Sequence, residues 1–572
     1  MIEGMAVTLP RNAQVAEQFD LLADLLELDG EQQFRVLAYR RAAEQIRSNA
    51  GPIAQLALDG QAKDLPGIGK TIESKIVQIV ESGEIEALTK RKEQIPAGVA
   101  EFLRLPALGP KTARRIWQEL GITTVGELRQ AAEAQRLRAL PGLGAKTEER
   151  ILKALDEKPQ EKRTLLATAL PAVLAVVEVL RGHPASNEVS EAGSVRRRTE
   201  TVRDLDIIAT AGDPAALTDY FSTLHWVAEV EAKGKTKATV VSHDGLRFDL
   251  RVVPPDAYGN LLQHFTGSKA HNVALREDAV RRGLSVSEYG VKEVESGEVF
   301  TARTEEELYE RLGYRWIPPE LREGRGELEA ARKGELPKLV EVSDLRGDLH
   351  MHSTWSTDAQ DTLADMAAAA KARGYEYMAI TDHAHYLRDG RFEAQAKEIA
   401  ALNEALAPFR ILRGIEVSIR TDGRLDFPDD QLATCDWVMA SLHSAFERSP
   451  TERVLAAMEN PHVDGIVHLT ARKLNKRSGT EIAVDKVIEK ALETGTFLEI
   501  NSQPDRLDLR DTHARAAKEA GLPLVISSDS HEVGALVFVD LGIAQARRAW
   551  LTKDQVVNTR SWREIEKLRK RR

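Results

Sequence analysis

Two histidines one residue apart, His350 and His352 in DLHMHSTWSTD (348–358), with Asp358 six residues after the second, form a grip for a divalent ion. More groups of the same kind follow short apolar runs. His383 comes after YMAIT, Glu416 after ILRGI, His443 after DWVMASL, His468 after DGIV, and Asp529 and His531 after LVISS. Mixed imidazole and carboxylate ligands favour Mn²⁺ or Zn²⁺ over Mg²⁺, which prefers oxygen and water. Ions held ~3.5–4 Å apart lower the pKa of a bridging water and stabilise the leaving oxygen of a phosphoester. The implied chemistry is therefore phosphoester hydrolysis. A sugar phosphate and a DNA end are equally open as substrates.

A second cluster lies upstream, in GSVRRRTETVRDLDIIAT (193–210). Asp204 and Asp206 are spaced to share one face of a strand, with Leu205 turned to the core. Asp249, in RFDLRVV, falls on another strand-like run. Three carboxylates can hold two Mg²⁺ or Mn²⁺ ions between phosphates. Gly193 and Ser194 offer backbone N–H groups and a hydroxyl to a triphosphate, and Arg197 adds a donor fork.

The elements that must position these groups can be read from periodicity. From 346 onward, apolar runs ending near 350, 381, 417, 442, 468, 500 and 527 alternate with helical stretches such as ADMAAAAKARG and VDKVIEKALETG. Seven β-α units predict a parallel α/β barrel, whose C-terminal strand ends meet on one face. The pairs His350/His352 and Asp529/His531 are expected on strands, each pair pointing one way. Upstream, 160–257 reads as α+β: a helix over LLATALPAVLAVVEVLRG, then strands LDIIAT, KATVVS and RFDLRVV. Residues 316–344, with Pro318, Pro319 and Pro337 amid charge, read as a connector with a short helix. Residues 8–157 read as helices, among them AQVAEQFDLLADLLEL and KTARRIWQELG. Three breaks repeat: LPGIGK (65–70), LPALGPKT (105–112) and LPGLGAKT (140–147).

Composition bounds the rest. The 572 residues predict three or four domains, and 42% hydrophobic residues supply ordinary cores. The net charge of −10 excludes a global basic field for nucleic acid but not local phosphate contacts. The first 160 residues are near neutral, 22 Lys and Arg against 23 Asp and Glu, so a DNA grip there must use backbone amides and a few placed cations. The lone cysteine, Cys435, permits no intrachain disulfide. There is neither a leader-like apolar run at the N-terminus nor an 18-residue apolar stretch, so no membrane partner and a cytoplasmic setting are expected. His225, His243, His385, His462 and His513 read as ordinary packed or solvated histidines.

Four motif sets carry family resemblances. The C-terminal motifs DLHMHSTWSTD, ITDH, GIEV, SLHS, IVHL and SSDSH resemble those of the polymerase-and-histidinol-phosphatase (PHP) domain. This implies the ligand set His350, His352, Asp358, His383, Glu416, His443, His468, Asp529 and His531, holding two or three Mn²⁺ or Zn²⁺ ions. Leu469 stands where that family often has proline. The block 193–210 resembles the nucleotidyltransferases, and more closely the family X DNA polymerases, while HFTGSKAHNVALR (264–276) resembles their thumb. That resemblance implies Asp204, Asp206 and Asp249 as ligands of Mg²⁺ or Mn²⁺, with Asp249 near the primer hydroxyl. Ser194 and Arg197 would hold the incoming triphosphate, Phe265 and Gly267 its sugar, Asn272 the base edge and Arg276 the template strand. The LPxxG breaks resemble helix-hairpin-helix elements, whose glycines (Gly67, Gly69, Gly109, Gly144) present amides to DNA phosphates. AYRRAAEQI (38–46) and Lys75 are similar to the lyase domain of the same polymerases, in which a lysine forms a Schiff base with an abasic sugar. Arg35, Tyr39 and Lys70 would then meet the 5′-phosphate. Arg198 and Arg203 replace usual glycines; Arg203, directly before Asp204, either distorts the turn if φ must be positive there or points to solvent. His264 replaces a usual tyrosine.

Together these imply a multidomain chain. A lyase-like helical domain (1–88) and helix-hairpin-helix fingers (89–158) precede an α+β nucleotidyltransferase palm (159–258) and a thumb (259–317). A linker (318–345) leads to a distorted seven-stranded TIM-like PHP barrel (346–572). The implied function is short-gap filling in base excision or end repair with 3′→5′ trimming, extended to abasic-site opening or 3′-phosphate removal. Gapped or nicked DNA and dNTPs are the implied partners, for a bacterial, nucleoid-associated monomer. A phosphatase with a docking half that does no chemistry, and a DNA-end scaffold with decayed sites, remain the alternatives.

Overall fold

The computed structural model describes residues 9–10, 12–49, 52–65, 67–105, 108–140, 143–156 and 163–570. The chain divides into two compact units, one of 1–162, 183–186 and 212–252, the other of 163–182, 187–211 and 253–572.

The first unit begins with helices. Asn12–Leu28 and Gln33–Ser48 bury Phe19, Leu22, Leu25, Ala43 and Ile46, the apolar stripe their 3.6-residue period provides. Helices Lys70–Ser82, Pro110–Leu120 and Ala145–Asp156 each start directly after the last glycine of an LPxxG break. The unit also contains the antiparallel strands Val227–Lys233, Lys237–Ser242 and Arg247–Val253, with Thr239 opposite Asp249. The sequence reading had found the last two of these three. Val227–Lys233 is almost wholly exposed and lacked the apolar alternation that would have revealed it.

In the second unit, helix Leu166–Arg181 and strand Leu205–Ala211 fall where expected. Helices Tyr258–Thr266 and Lys269–Arg281 follow, then a small sheet of Leu284–Ser287, Gly290–Glu293 and Val299–Phe300. Within the connector the short helix is Glu327–Lys333, and Arg322 is fully buried. Arg322 donates to both oxygens of Glu305 and to the Ile317 carbonyl, while Arg196 reaches Glu305 at 2.8 Å. Burial by itself would raise the Glu305 pKa; Arg322 and Arg196 more than offset it and hold the carboxyl far below its ordinary range. This stabilisation is present at neutral pH and is lost as pH falls below the ordinary glutamate value of 4.5. Glu305→Ala strands a buried guanidinium. We expect a loss of about 3–5 kcal/mol, read by chemical unfolding at pH 7, and a smaller loss at pH 4.

The barrel strands are Gly347–Met351, Tyr377–Ile380, Arg410–Ser418, Trp437–Ser441, Gly465–Ile466, Phe497–Asn501 and Leu524–Ser527, parallel and in sequence order. A parallel bridge from Met351 to Ser530 brings the first strand beside the end of the last, nearly closing the ring. The two-residue period of each strand sorts its side chains. Met378, Ile411, Val438, Leu498 and Ile526 face the surrounding helices. Leu349, Tyr377, Leu412, Trp437, Phe497 and Val525 fill the interior, where Trp562 and Ile565 of the final helix join them. The same inward register continues toward the C-terminal strand ends as Glu416, Ser441 and Glu499, so one alternation builds both the apolar floor and a polar mouth. Trp550, ahead of the final helix, packs instead with Leu275, Leu308, Tyr309 and Leu312 of the 258–317 region.

Candidate active sites

All nine expected ligands of the barrel converge at its mouth. Glu416 is the hub: Oε1 lies 3.0 Å from His443 Nε2 and 3.1 Å from His468 Nε2, and Oε2 lies 2.8 Å from His383 Nδ1 and 3.5 Å from His350 Nε2. Asp529 Oδ1 is 3.3 Å from His352 Nε2 and 3.5 Å from His350 Nε2. Asp358 closes the outer edge, 3.3 Å from His383 and 3.8 Å from His531. Three overlapping groups have the spacing of metal sites: His350/His352/Asp529, His352/His383/His531 and His383/Glu416/His443.

The electrostatics fit divalent ions. His350 Nε2 and both nitrogens of His352 are buried without a hydrogen bond, which is costly unless a cation binds there. Burial, with His531 and His383 adding, pushes His352 down to about 3, and burial with Arg506 pushes His468 down to about 4. Both imidazoles are therefore driven toward the neutral form that presents a lone pair, whereas at His350 and His383 burial acts the same way but neighbouring carboxylates outweigh it and push the pKa up, so an ion entering there must displace their protons. Burial also opposes the charge on Glu416, but His443 and His383 hold it well below the carboxylate range.

The expectation that both pairs lie on strands needs correcting. His350 is on its strand, but that strand ends at Met351, just before His352. Asp529 and His531 do not lie on a strand: the strand ends at Ser527, and Asp529 has a left-handed backbone, φ 51°. Its side chain reaches the cage through that turn, held by Asn501 Nδ2 at 2.9 Å. The strand Phe497–Asn501, for which no ligand was expected, supplies support instead. Glu499, fully buried, accepts from His350 Nδ1 at 2.7 Å and from the His468 amide at 2.9 Å. A carboxylate behind a ligating imidazole fixes its tautomer and raises its basicity. The alternation in FLEIN pointed Glu499 inward, and that was the available signal. Ser418 Oγ likewise meets His443 Nδ1 at 2.9 Å. His385 stacks on His383 at 5.5 Å, closer to the cage than an ordinary histidine.

In the upstream cluster, Asp204 stands just before the strand Leu205–Ala211 and Asp206 on it, with Leu205 buried between them. Gly193, φ 62°, is required here: a Cβ would sit 2.1 Å from Asp206 Oδ2. The left-handed turn falls on Arg198, φ 57°, which anchors itself through Val195 O and Glu191; Arg203 does not share that backbone and pairs with Asp204 at 2.8 Å. Arg197 is mostly buried, donating to the Thr266 carbonyl and, at 3.1 Å, to Glu323. Ser194 accepts through its carbonyl from the Thr199 amide and hydroxyl. Gly267 lies against Arg197, since a Cβ there would be 3.3 Å from its Nη1. Phe265 packs edge-on against His264. Asn272 donates to the His264 carbonyl at 2.8 Å, and Arg276 lies 3.0 Å from His264 Nδ1. Asp249, in the first unit, accepts from the Thr239 hydroxyl.

Among the helices, Gly69 and Gly109 are N-caps with matching extended backbones, and Gly144 precedes its helix in the same way. A Cβ at any of the three would meet no atom of the described residues within 4 Å. Gly67 turns with φ 77° just before Ile68. Lys75 Nζ lies 5.9 Å from the Tyr39 ring centre. Burial lowers its pKa, with Glu86 opposing and Arg35 assisting. Arg35 pairs with Glu31 at 3.1 Å, and Lys70 opens its helix. No helix among the described residues is long and apolar enough to cross a membrane.

Fold and cage together define a metallo-barrel of the PHP kind on a chain with helical and α+β regions upstream. Family models match in the same places: "DNA polymerase beta thumb" at 261–323, "Helix-hairpin-helix domain" at 10–85, "SAM-like Helix-hairpin-helix tandem" at 99–157 and "PHP domain" at 348–504. Over 568 residues, 96% of this chain and 98% of the relative, it is 39% identical to the DNA polymerase/3′-5′ exonuclease PolX of Bacillus subtilis (strain 168). DNA polymerase lambda of Rattus norvegicus is 25% identical over 339 residues, 54% of this chain and 56% of that one. A probable phosphatase of Acetivibrio thermocellus is 32% identical over 201 residues, 33% of this chain and 81% of its own. The chain belongs to the family X DNA polymerases that carry a C-terminal PHP domain.

Proposed function

We propose that this chain fills short gaps in DNA under repair and trims 3′ ends with its barrel, working as a monomer on the DNA of a bacterial cytoplasm. It is a DNA polymerase and a 3′→5′ exonuclease, the two activities of its full-length relative. The observation that carries the trimming half is the cage of six imidazoles and three carboxylates around Glu416. Divalent ions, when bound, supply Lewis-acid polarisation of the phosphoester and activation of water. The imidazole-rich donor set favours Mn²⁺ or Zn²⁺, up to three ions by its three groups. Glu499 keeps His350 in one tautomer, and Asn501 keeps Asp529 turned inward. The similarity of the barrel to a probable phosphatase supports removal of 3′-phosphates, and the same phosphoester chemistry extends the proposal to abasic-site opening.

In the polymerase half, Asp204, Asp206 and Asp249 would hold Mg²⁺ or Mn²⁺, and Asp249 would accept the proton of the primer hydroxyl. Ser194 and Arg197 hold the triphosphate, Phe265 and Gly267 face its sugar, Asn272 reads the base edge and Arg276 touches the template. The helix N-termini at Gly69, Gly109 and Gly144 grip DNA phosphates. A one-nucleotide-gap substrate tests the reading. With dNTPs the primer gains one nucleotide; without them, under Mn²⁺, it shortens. Turnover of small phosphate monoesters with no action on oligonucleotides would replace this reading with a docked phosphatase.

Lys75 is the Schiff-base lysine of an abasic-site lyase. Its depressed pKa increases the share of free amine, the form that attacks an aldehyde. Borohydride should trap a protein–DNA adduct on abasic DNA, and Lys75→Ala should lower its yield about tenfold or more. An undiminished adduct would place the nucleophile elsewhere.

A further inference from the structure

We infer that Arg548, on the barrel's helix Val539–Arg548, is a positioning residue for the polymerisation step. This rests on the reading of Arg197 as the triphosphate ligand. The loop 197–203 joins Arg197 to Asp204, and residues of the PHP half hold it at two points. Arg548 Nη1 donates to the Arg197 carbonyl at 2.8 Å and to Glu323 Oε1 at 2.8 Å. Glu323 Oε1 in turn accepts from Arg197 Nε at 3.1 Å. Arg548 Nη2 donates to Asp511 Oδ2 at 2.8 Å, and Asp511 also accepts from Arg325 at 3.1 Å. Three residues further along the loop, Glu200 accepts from Arg472 at 2.8 Å and lies 3.8 Å from Arg510. Arg548 is 7% exposed and Arg472 9%, so these pairs are shielded from water.

The arrangement determines which nitrogens Arg197 can present. Glu323 takes Nε and the Thr266 carbonyl takes Nη1, so Nη2 is the nitrogen left for a phosphate. A guanidinium fork binds phosphate well only when its plane is fixed in advance. Glu323 sets that plane, and Arg548 holds both Glu323 and the backbone from which Arg197 projects. A carboxylate between two arginines keeps its place only while both are present. Without Arg548, Glu323 can follow Arg197 alone and compete with the triphosphate for it.

The test is steady-state gap filling with trimming measured on the same preparations. Arg548→Met should raise the KM for dNTP about tenfold and leave kcat within about twofold, with the trimming rate unchanged. Arg548→Lys keeps the charge but cannot fork to three acceptors, and should recover part of the KM. Glu323→Gln should shift the KM in the same direction as Arg548→Met, which keeps the inference open to test if one variant folds badly. Arg197→Ala, run in parallel, tests the underlying reading: an unchanged KM there refutes the triphosphate role itself. An impaired Arg197→Ala beside a normal Arg548→Met overturns only the inference about Arg548. A loss of kcat alone, or an equal loss of extension and trimming, overturns it as well.

Discussion

Asp204→Ala is expected to lower gap filling by about a thousandfold or more while leaving 3′ trimming within about twofold. A thousandfold corresponds to about 4 kcal/mol of transition-state stabilisation, a fair share for one carboxylate that would hold the divalent ions offsetting the negative charge on the transferred phosphoryl group. The structure explains why the effect should be confined to chemistry. Asp204 is at the lip of its strand, paired with the exposed Arg203, and the buried residue that anchors the strand is Leu205. Truncating Asp204 therefore removes charge at the edge of the strand and leaves its apolar anchor, Leu205, in place. Single-turnover extension with saturating Mg²⁺ is the measurement. Retained extension would mean that these carboxylates are not the polymerase centre. Loss of trimming as well would mean that the two chemistries share one site.

Glu416→Gln should have the converse effect: trimming down by about a thousandfold, extension unchanged and metal content reduced. The amide keeps the volume of the carboxylate, so the packing of the strand Arg410–Ser418 survives. What it loses is the one anion within 4 Å of His350, His352, His383, His443 and His468 together. An amide offers one oxygen where the carboxylate offered two, and turns N–H donors toward nitrogens that need an acceptor or a cation. Metal analysis of the purified variant, beside a trimming assay, checks this. Full metal content with normal trimming would remove Glu416 from its central place.

How much of this was legible in the sequence follows from what each signal encodes. The seven-unit alternation after 346 gave the barrel because a parallel sheet covered by helices writes its period into the chain. Eight of the nine cage residues also follow an apolar run, as a barrel's strand ends require. Glu499 was missed because a carboxylate inside a strand looks like any inward polar residue until its partner, His350, is seen 149 positions away. The backbone at Asp529 was missed because spacing alone does not distinguish a strand from a left-handed turn. The burial of Arg322 was hidden for a similar reason: charge amid prolines reads as solvent-facing, and only the pairing with Glu305 makes an interior place affordable. Arg548 gave no signal at all, since its acceptors at 197, 323 and 511 are remote in sequence.

Trp550 has a consequence for anyone dissecting this enzyme. Its indole belongs by chain order to the trimming half but completes the apolar interior of the region that follows the polymerase strands. Cutting the gene near residue 345 would strip that cluster of its indole and leave a gap the size of a bicyclic ring. Such a fragment should aggregate or swap partners, and replacing the hydrolase module with a foreign one should work only when the graft brings an aromatic plug of its own.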